Sequence, residues 1–119
     1  MNDRFFALGY KVHLAEDDGV WVATARRLDT GDAFGPPVPG DHAEEAAERL
    51  AGWLEWQRAH TTALHALQAA ENTYHRLAAD RFGSPAEDAR RVAVRDALIK
   101  VDDLRRELDV VREQKPWLH

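Results

Sequence analysis

The 119-residue chain contains no cysteine and only one serine. Without cysteine, disulfides, thiol catalysis, zinc fingers and iron–sulfur clusters are excluded, so any metal would need His, Asp or Glu ligands. No apolar run approaches the length of a membrane span, and the first residues lack the basic and apolar segments of a signal peptide. The sequence therefore predicts a soluble cytoplasmic protein.

Basic residues are fewer than acidic ones, 16 against 21, so the net charge is -5. This balance argues against a nucleic-acid or anionic-membrane binder. The chain has no Gly-rich phosphate loop and no Gly-x-Ser-x-Gly nucleophile elbow. Alanine, in contrast, is abundant, with 20 residues, and favours helix while adding little core volume.

The first 40 residues predict β structure. Apolar and polar residues alternate from Phe6 to Leu14, which is typical of a half-buried strand. Asp18-Gly19 follows and predicts a tight hairpin with a return strand over 20–25. Residues 29–32 are typical of a turn. The triplet Asp29-Thr30-Gly31 also occurs in aspartic proteases, but it is a common turn sequence and does not indicate catalysis. A short third strand would begin at Ala33-Phe34, and the prolines behind it confine that segment to a sheet edge or an extended loop.

Residues 41–119 predict two helices, over about 41–82 and 85–114. Asp41 and Glu44 have the spacing of a capping box at the first helix. Gly83 ends that helix, and Ser84-Pro85 with Glu87 starts the second. Because the link is short, we expect an antiparallel, coiled-coil-like helical hairpin. The fold class is therefore α+β, a small antiparallel sheet (1–40) followed by a helical hairpin (41–119), packed as one domain.

Both helices carry apolar residues three and four apart, as expected of a shared seam. On the first helix these are Leu50, Trp53, Leu54, Leu64, Leu67, Tyr74 and Ala78; on the second they are Val94, Ala97, Val101, Leu104, Leu108 and Val111. We expect the tryptophans 53, 56 and 117 to pack where the sheet segment meets the hairpin.

A second apolar stripe is predicted opposite the seam. It consists of Ala59, Ala63, Ala66, Ala70 and Leu77 on the first helix and Val92, Ile99 and Val110 on the second. An isolated hairpin needs only one stripe per helix, so the second predicts a homodimer in which two hairpins form a four-helix bundle. The alternative is that alanine serves simply as a good exposed helix former.

One group of polar residues is expected near the hairpin tip. Glu71 and His75 are i, i+4 neighbours, and a symmetric pairing of the helices puts Glu87 and Arg90 at about the same level. One interpretation is an ion-pair network, Glu71 with Arg90 and His75 with Glu87. The other is a divalent metal site of Glu71, His75 and Glu87, whose bound water could hydrolyse a phosphoester held by Arg90.

Residues 9–46 resemble the N-terminal domain of HicB-type antitoxins. The resemblance rests on GYKV at 9–12, DDGVWVA at 17–23 and EEA at 44–46. It implies a strand, an Asp-Gly hairpin, a third strand and a helix in that order. It also implies a protein that oligomerises and binds a small toxin.

Three functions follow from these observations. The first is a non-catalytic interaction or assembly module that self-associates through its helical hairpin and needs no cofactor. The second is a small metal-dependent hydrolase, with Glu71, His75 and Arg90 as its candidate catalytic residues. The third is an antitoxin-like protein that binds a protein partner.

Overall fold

A computed structural model describes residues 2–79 and 87–117, with the backbone alone at residues 2 and 87. A three-stranded antiparallel sheet is followed by two long helices that pack against each other, which confirms the predicted α+β class. Six elements occur in chain order: α1 (Asn2–Leu8), β1 (Tyr10–Asp17), β2 (Val20–Arg27), β3 (Ala33–Gly40), α2 (Ala43–Ala79) and α3 (Glu87–Glu113).

The chain divides into two compact units. The first consists of Met1–Arg58 and Lys115–His119, and the second of Ala59–Gln114. The boundary between the two units therefore lies within α2.

The first hairpin forms where the sequence predicts it. Strands β1 and β2 are antiparallel, with Asp17 opposite Val20. The two residues between them, Asp18 and Gly19, both have positive φ angles, of 51° and 81°. Such a turn matches the right-handed twist of the two strands and favours Asp-Gly. The Asp-Gly hairpin is thus confirmed.

The predicted strand is wrong before Tyr10, because residues 2–8 form helix α1. Helical geometry buries Phe5, which is 1% exposed, and leaves Phe6 46% exposed, the reverse of what the alternation predicts. Gly9 ends the helix with a φ of 91°, and its N–H donates to the Phe6 carbonyl at 3.0 Å. A left-handed glycine after the last turn is a common way to end a helix.

Strand β3 lies at an edge of the sheet, in the order β1-β2-β3, as its three prolines require. Its pairing with β2 is irregular, since Ala25 is opposite Phe34 but Ala23 is opposite Val38. Three residues of β3 therefore face the single residue Thr24. Gly35, with a φ of 78°, begins this irregular stretch.

The sheet and the first turns of α2 enclose the core of the first unit. Its buried members are Phe5, Ala23, Ala25, Val38, Ala46, Ala47, Leu50, Ala51 and Leu54. Five of these nine residues are alanines, and they let α2 approach the strands closely.

The start of α2 differs in detail from the predicted capping box. The helix begins at Ala43, and the N–H of Ala46 donates to the His42 carbonyl at 3.1 Å. The side chain that binds the segment before the helix is that of Glu45, whose Oε2 accepts a hydrogen bond from the N–H of Asp41 at 3.3 Å. Glu45 is the third helical residue, the position from which a carboxylate reaches the residues before the helix. The predicted role of Glu44 is therefore wrong.

The helical hairpin of the second unit has the middle part of the predicted seam. Leu50, Trp53 and Leu54, which the sequence also assigns to the seam, belong instead to the core of the first unit with the sheet residues. Leu67, Ala70, Val101 and Leu108 are buried, and Leu64, Tyr74 and Leu104 pack against them. Ala63 also packs there, so Ala63 and Ala70 belong to this core and not to a second stripe. They lie four residues before and three after Leu67, which places all three on one helix face. The predicted helix start at Ser84-Pro85 lies outside the described residues.

Candidate functional site

The structure gives Glu71 a different ionic partner from the one predicted. Its Oε2 lies 3.6 Å from Nη2 of Arg105, and Nη1 of the same arginine lies 3.9 Å from Oδ1 of Asp102. Arg105 follows the seam residue Leu104, so its guanidinium can cross to α2 at the edge of the seam. The predicted pair of Glu71 with Arg90 is not formed. The only sequence signal for Arg105 was its place beside the seam.

His75 is exposed on α2, with its ring tilted against that of Tyr74 at a centroid distance of 5.5 Å. Its expected partner Glu87 opens α3, but the side chain of Glu87 lies outside the described part of the chain. Within residues 2–79 and 87–117, no three His, Asp or Glu side chains are placed to hold a metal ion. The site of Glu71, His75 and Glu87 therefore stays a prediction, without support from the described side chains.

The outward face of α3 carries exposed aliphatic side chains. Val92, Ile99 and Val110 are 57%, 50% and 52% exposed. Three charged residues lie between them on the same helix face, so that the six residues follow one another at intervals of three and four. All six side chains are exposed. We call this set the outer stripe: Val92, Asp96, Ile99, Asp103, Arg106 and Val110. At 3.6 residues per turn it lies opposite the buried Val101 and Leu108.

A cavity of about 480 Å³ lies beside the first half of α3. Three arginines and three apolar residues line it: Arg90, Arg91, Arg95, Ala78, Val94 and Leu98. Leu98 is 42% exposed, which is high for a leucine beside the seam. The sequence predicts an ion pair of Arg90 with Glu71, whereas among the described residues Arg90 lines this cavity together with two other arginines of α3. We call this feature the arginine cavity.

In the first unit, Arg4 of α1 forms ion pairs with two glutamates of α2. Its Nη1 lies 2.7 Å from a Glu48 carboxylate oxygen, and its Nε and Nη2 donate to Glu55 at 2.5 and 2.9 Å. These hydrogen bonds hold the pKa of Glu55 below its usual value and raise that of Arg4. The groove of about 420 Å³ beside this contact is lined by α1 and α2. The arrangement fixes α1 and explains how so short a helix is held.

Replacing Arg4 with glutamine should therefore destabilise the protein in a pH-dependent way. A carboxyl whose pKa is lower in the folded state stabilises that state above its unfolded pKa, near 4.5 for Glu55, and loses the effect as the pH falls. Because both side chains are substantially exposed, we expect a loss of about 1 kcal/mol or less at pH 7. The difference from wild type should shrink below about pH 4.5 in urea titrations.

Arg26→Gln provides the control for this titration. Arg26 donates to the Gly31 carbonyl at 3.1 Å, and a carbonyl does not titrate. Its effect on unfolding should be the same at pH 7 and pH 4. An Arg4→Gln difference that is equally constant would contradict the assigned ion pair.

Aromatic rings form a continuous row in the first unit. Tyr10 stacks on Phe34 at 5.1 Å, and Phe34, Trp53 and Trp56 follow at centroid distances of 6.1 and 6.5 Å. Cations lie over two of these rings, Arg27 over Phe34 at 4.7 Å and Lys115 over Trp56 at 5.6 Å. The row covers the core beneath the sheet, so Trp53 packs as predicted.

Trp117, the third tryptophan predicted to pack there, is 84% exposed. The chain near it is held through the backbone, because Nη2 of Arg49 donates to the Trp117 carbonyl at 3.2 Å. A turn forms at residues 28–30, one residue before the predicted start, and the N–H of Asp32 after it donates to Oγ1 of Thr30 at 3.3 Å. Thr30 thus has a structural role there.

Comparisons with protein-family models, curated proteins and solved structures found no match. Among the helices in the described part of the chain, none is both long and apolar enough to cross a bilayer.

Proposed function

We propose that the protein is a non-catalytic assembly module that forms a homodimer through the outer stripe of its helical hairpin. The observation that carries this proposal is the exposure of Ile99 and Val110 along the line of outer-stripe residues on α3. Such a line has the spacing of a coiled-coil seam but no partner within the described chain. Ala63 and Ala70 pack inside the hairpin, so the contact is assigned to α3 and not to the alanines of α2.

The occupant we propose for the outer stripe is a second copy of α3 running antiparallel. In that arrangement Ile99 faces Val110 of the second copy, and Asp103 faces its Arg106. Each contact occurs twice about the two-fold axis, as in any isologous interface. Lys100 and Glu107, which flank the stripe, then approach each other with opposite charges. Between Ile99 and Val110 of the stripe, aliphatic residues therefore meet aliphatic residues and Asp103 meets Arg106.

A parallel arrangement is disfavoured by the same residues. Parallel helices place each heptad position opposite itself, so Asp103 would face Asp103 and Arg106 would face Arg106. Like charges at such positions oppose association, and opposite charges set partner orientation. Two hairpins joined through antiparallel α3 helices contribute four helices to the assembly, in agreement with the predicted four-helix dimer.

Ile99→Asp should abolish this dimer. The substitution removes an aliphatic contact of roughly 1.5 kcal/mol or more twice, so the dissociation constant should rise about 100-fold or more. Sedimentation equilibrium over a concentration series would measure it. Val92→Asp is the matched control, because Val92 is 57% exposed, comparable with 50% for Ile99, and lies beyond the overlapping segment. A wild type that stays monomeric, or equal effects of the two variants, would overturn the proposal.

Charge exchange tests the orientation separately. Asp103→Arg or Arg106→Asp alone should weaken the dimer, since each puts like charges opposite each other. The double variant should restore it, because the exchanged charges attract again in the antiparallel register. Failure of the double variant to recover association would contradict the antiparallel pairing.

A further inference from the structure

Strand β1 leaves one edge of the sheet open to pairing. It lies at the end of the order β1-β2-β3, and its register with β2 is regular from Tyr10 to Asp17. The other edge strand, β3, is irregular and contains three prolines, which lack the N–H groups that a further strand needs, whereas β1 contains no proline. A straight edge strand presents a row of backbone groups with which another strand can pair.

The geometry of the hairpin determines which backbone groups of β1 face that edge. Asp17 and Val20, on either side of the two-residue turn, form a hydrogen-bonded pair, and every second residue of β1 repeats this arrangement. The bond from the Leu28 N–H to the Gly9 carbonyl, at 3.1 Å, follows the same alternation. The N–H and C=O groups at positions 10, 12, 14 and 16 therefore point away from β2. Within residues 2–79 and 87–117, no backbone hydrogen bond outside the β1–β2 ladder involves these four positions.

We propose that β1 pairs antiparallel with β1 of a second copy of the chain, with Leu14 of both strands at the two-fold axis. Leu14 then faces Leu14 and Val12 faces Glu16, so that the backbone groups pointing away from β2 bond to those of the second copy. On the other face of the sheet Lys11 faces Asp17, and both of these side chains are exposed. Each contact away from the axis occurs twice, as in any isologous interface.

The charges of β1 favour a second copy in this register. Lys11 and Asp17 meet in a cross-strand pair without hydrogen bonds between its own backbone groups, where side chains lie closest together. Opposite charges in such pairs stabilise a sheet. Moving the axis by one residue towards either end would place Lys11 opposite Ala15 or Gly19 and would remove this ion pair.

The contact through β1 goes beyond the proposed dimer and is separate from it, because β1 belongs to the first unit and α3 to the second. A chain with both contacts would join dimers into larger assemblies. Ile99→Asp changes only the contact through α3, so the variants described next all carry it, which leaves β1 as the contact that is measured. Conversely, the effect of Ile99→Asp itself is isolated in a chain whose β1 edge is blocked.

Cysteine cross-linking tests the partner and the register, since the chain has no cysteine of its own. One variant carries Lys11→Cys and the other Asp17→Cys. In the proposed pairing their Cα atoms lie about 4.5 Å apart, within the range of a disulfide, whereas the two copies of position 11 lie about 20 Å apart. A mixture of the variants in a glutathione redox buffer should form a disulfide-linked dimer, and each variant alone should not. No cross-link in the mixture, or equal cross-linking of one variant alone, would overturn the proposal.

Glu16→Pro tests the backbone hydrogen bonds of the same contact. The N–H of Glu16 points to the second copy and not to β2, so proline removes one donor from each chain of the pair and leaves the hairpin ladder intact. The dissociation constant from sedimentation equilibrium should rise about 10-fold or more. Glu16→Ala is the matched control, because it loses the same side chain and keeps the N–H. Circular dichroism melts verify that both variants stay folded, and equal dissociation constants for the two would contradict the pairing.

Discussion

Leu50→Ala is expected to lower the free energy of unfolding of the first unit by about 3–5 kcal/mol. Leu50 is fully buried in the core between the sheet and α2, with Ala46, Ala47 and Leu54 around it. Small neighbours cannot move in to fill the space that the leucine leaves, so the cavity should persist and the loss should be near the upper end. All four tryptophans lie in this unit, so their fluorescence in a urea titration reports its unfolding.

Leu28→Ala is the matched control for that measurement. Leu28 belongs to the same unit but is 50% exposed, so the same substitution should cost about 0.5 kcal/mol or less. Comparable losses in the two variants would show that Leu50 does not hold the sheet against α2.

Gly35→Ala is the second substitution for which we expect a large effect, about 2–4 kcal/mol. A side chain at a φ of 78° is strained by about 1–2 kcal/mol. A Cβ atom there would also lie 2.6 Å from Cζ3 of Trp53, closer than real contacts allow. Trp53 belongs to the aromatic row over the core, so it can move only by disturbing its neighbours, and overpacking of this kind costs about 1–3 kcal/mol.

Gly31→Ala separates the two causes. Gly31 has nearly the same φ, 76°, but nothing lies within 4 Å of an added Cβ. Its alanine variant should therefore carry the backbone strain alone, about 1–2 kcal/mol. The difference between the two variants measures the contact with Trp53. That difference should decrease when both are made in a Trp53→Leu background, and a difference of zero in the wild-type background would refute the steric explanation.

Local chemistry was enough to predict several elements of this fold. The Asp18-Gly19 turn needs two residues that tolerate positive φ, and that requirement is visible in the sequence. The prolines of β3 cannot donate hydrogen bonds to a ladder, which restricts them to an edge. The seam of Leu67, Val101 and Leu108 follows from helical spacing alone.

Other features depended on contacts that no local pattern reports. Residues 2–8 alternate like a strand but form α1, because burial of Phe5 and the pairing of Arg4 with Glu48 and Glu55 stabilise the helix. The alternation alone is ambiguous over so short a stretch. The N-terminal boundary of the sheet was therefore beyond prediction from the sequence.

For the candidate sites, the sequence identified residue types and faces but not partners. It located Val92, Ile99 and Val110 on the face of α3 opposite the seam, since helical spacing needs only residue order. It assigned Glu71 to Arg90, whereas the structure pairs it with Arg105. A long guanidinium side chain can reach across a seam to more than one level, so the level of a residue on its helix does not fix its partner.

The sequence by itself determined the sheet hairpin, the edge position of β3, the two long helices and their seam. Each of these follows either from the backbone properties of individual residues, such as glycine and proline, or from the helical spacing of apolar residues along the chain. Only the tertiary structure decided the helix at the N-terminus, the burial of Ala63 and Ala70 and the pairing of Glu71 with Arg105. These depend on how closely distant segments approach and which side chains remain uncovered, and the packing of the whole chain sets both.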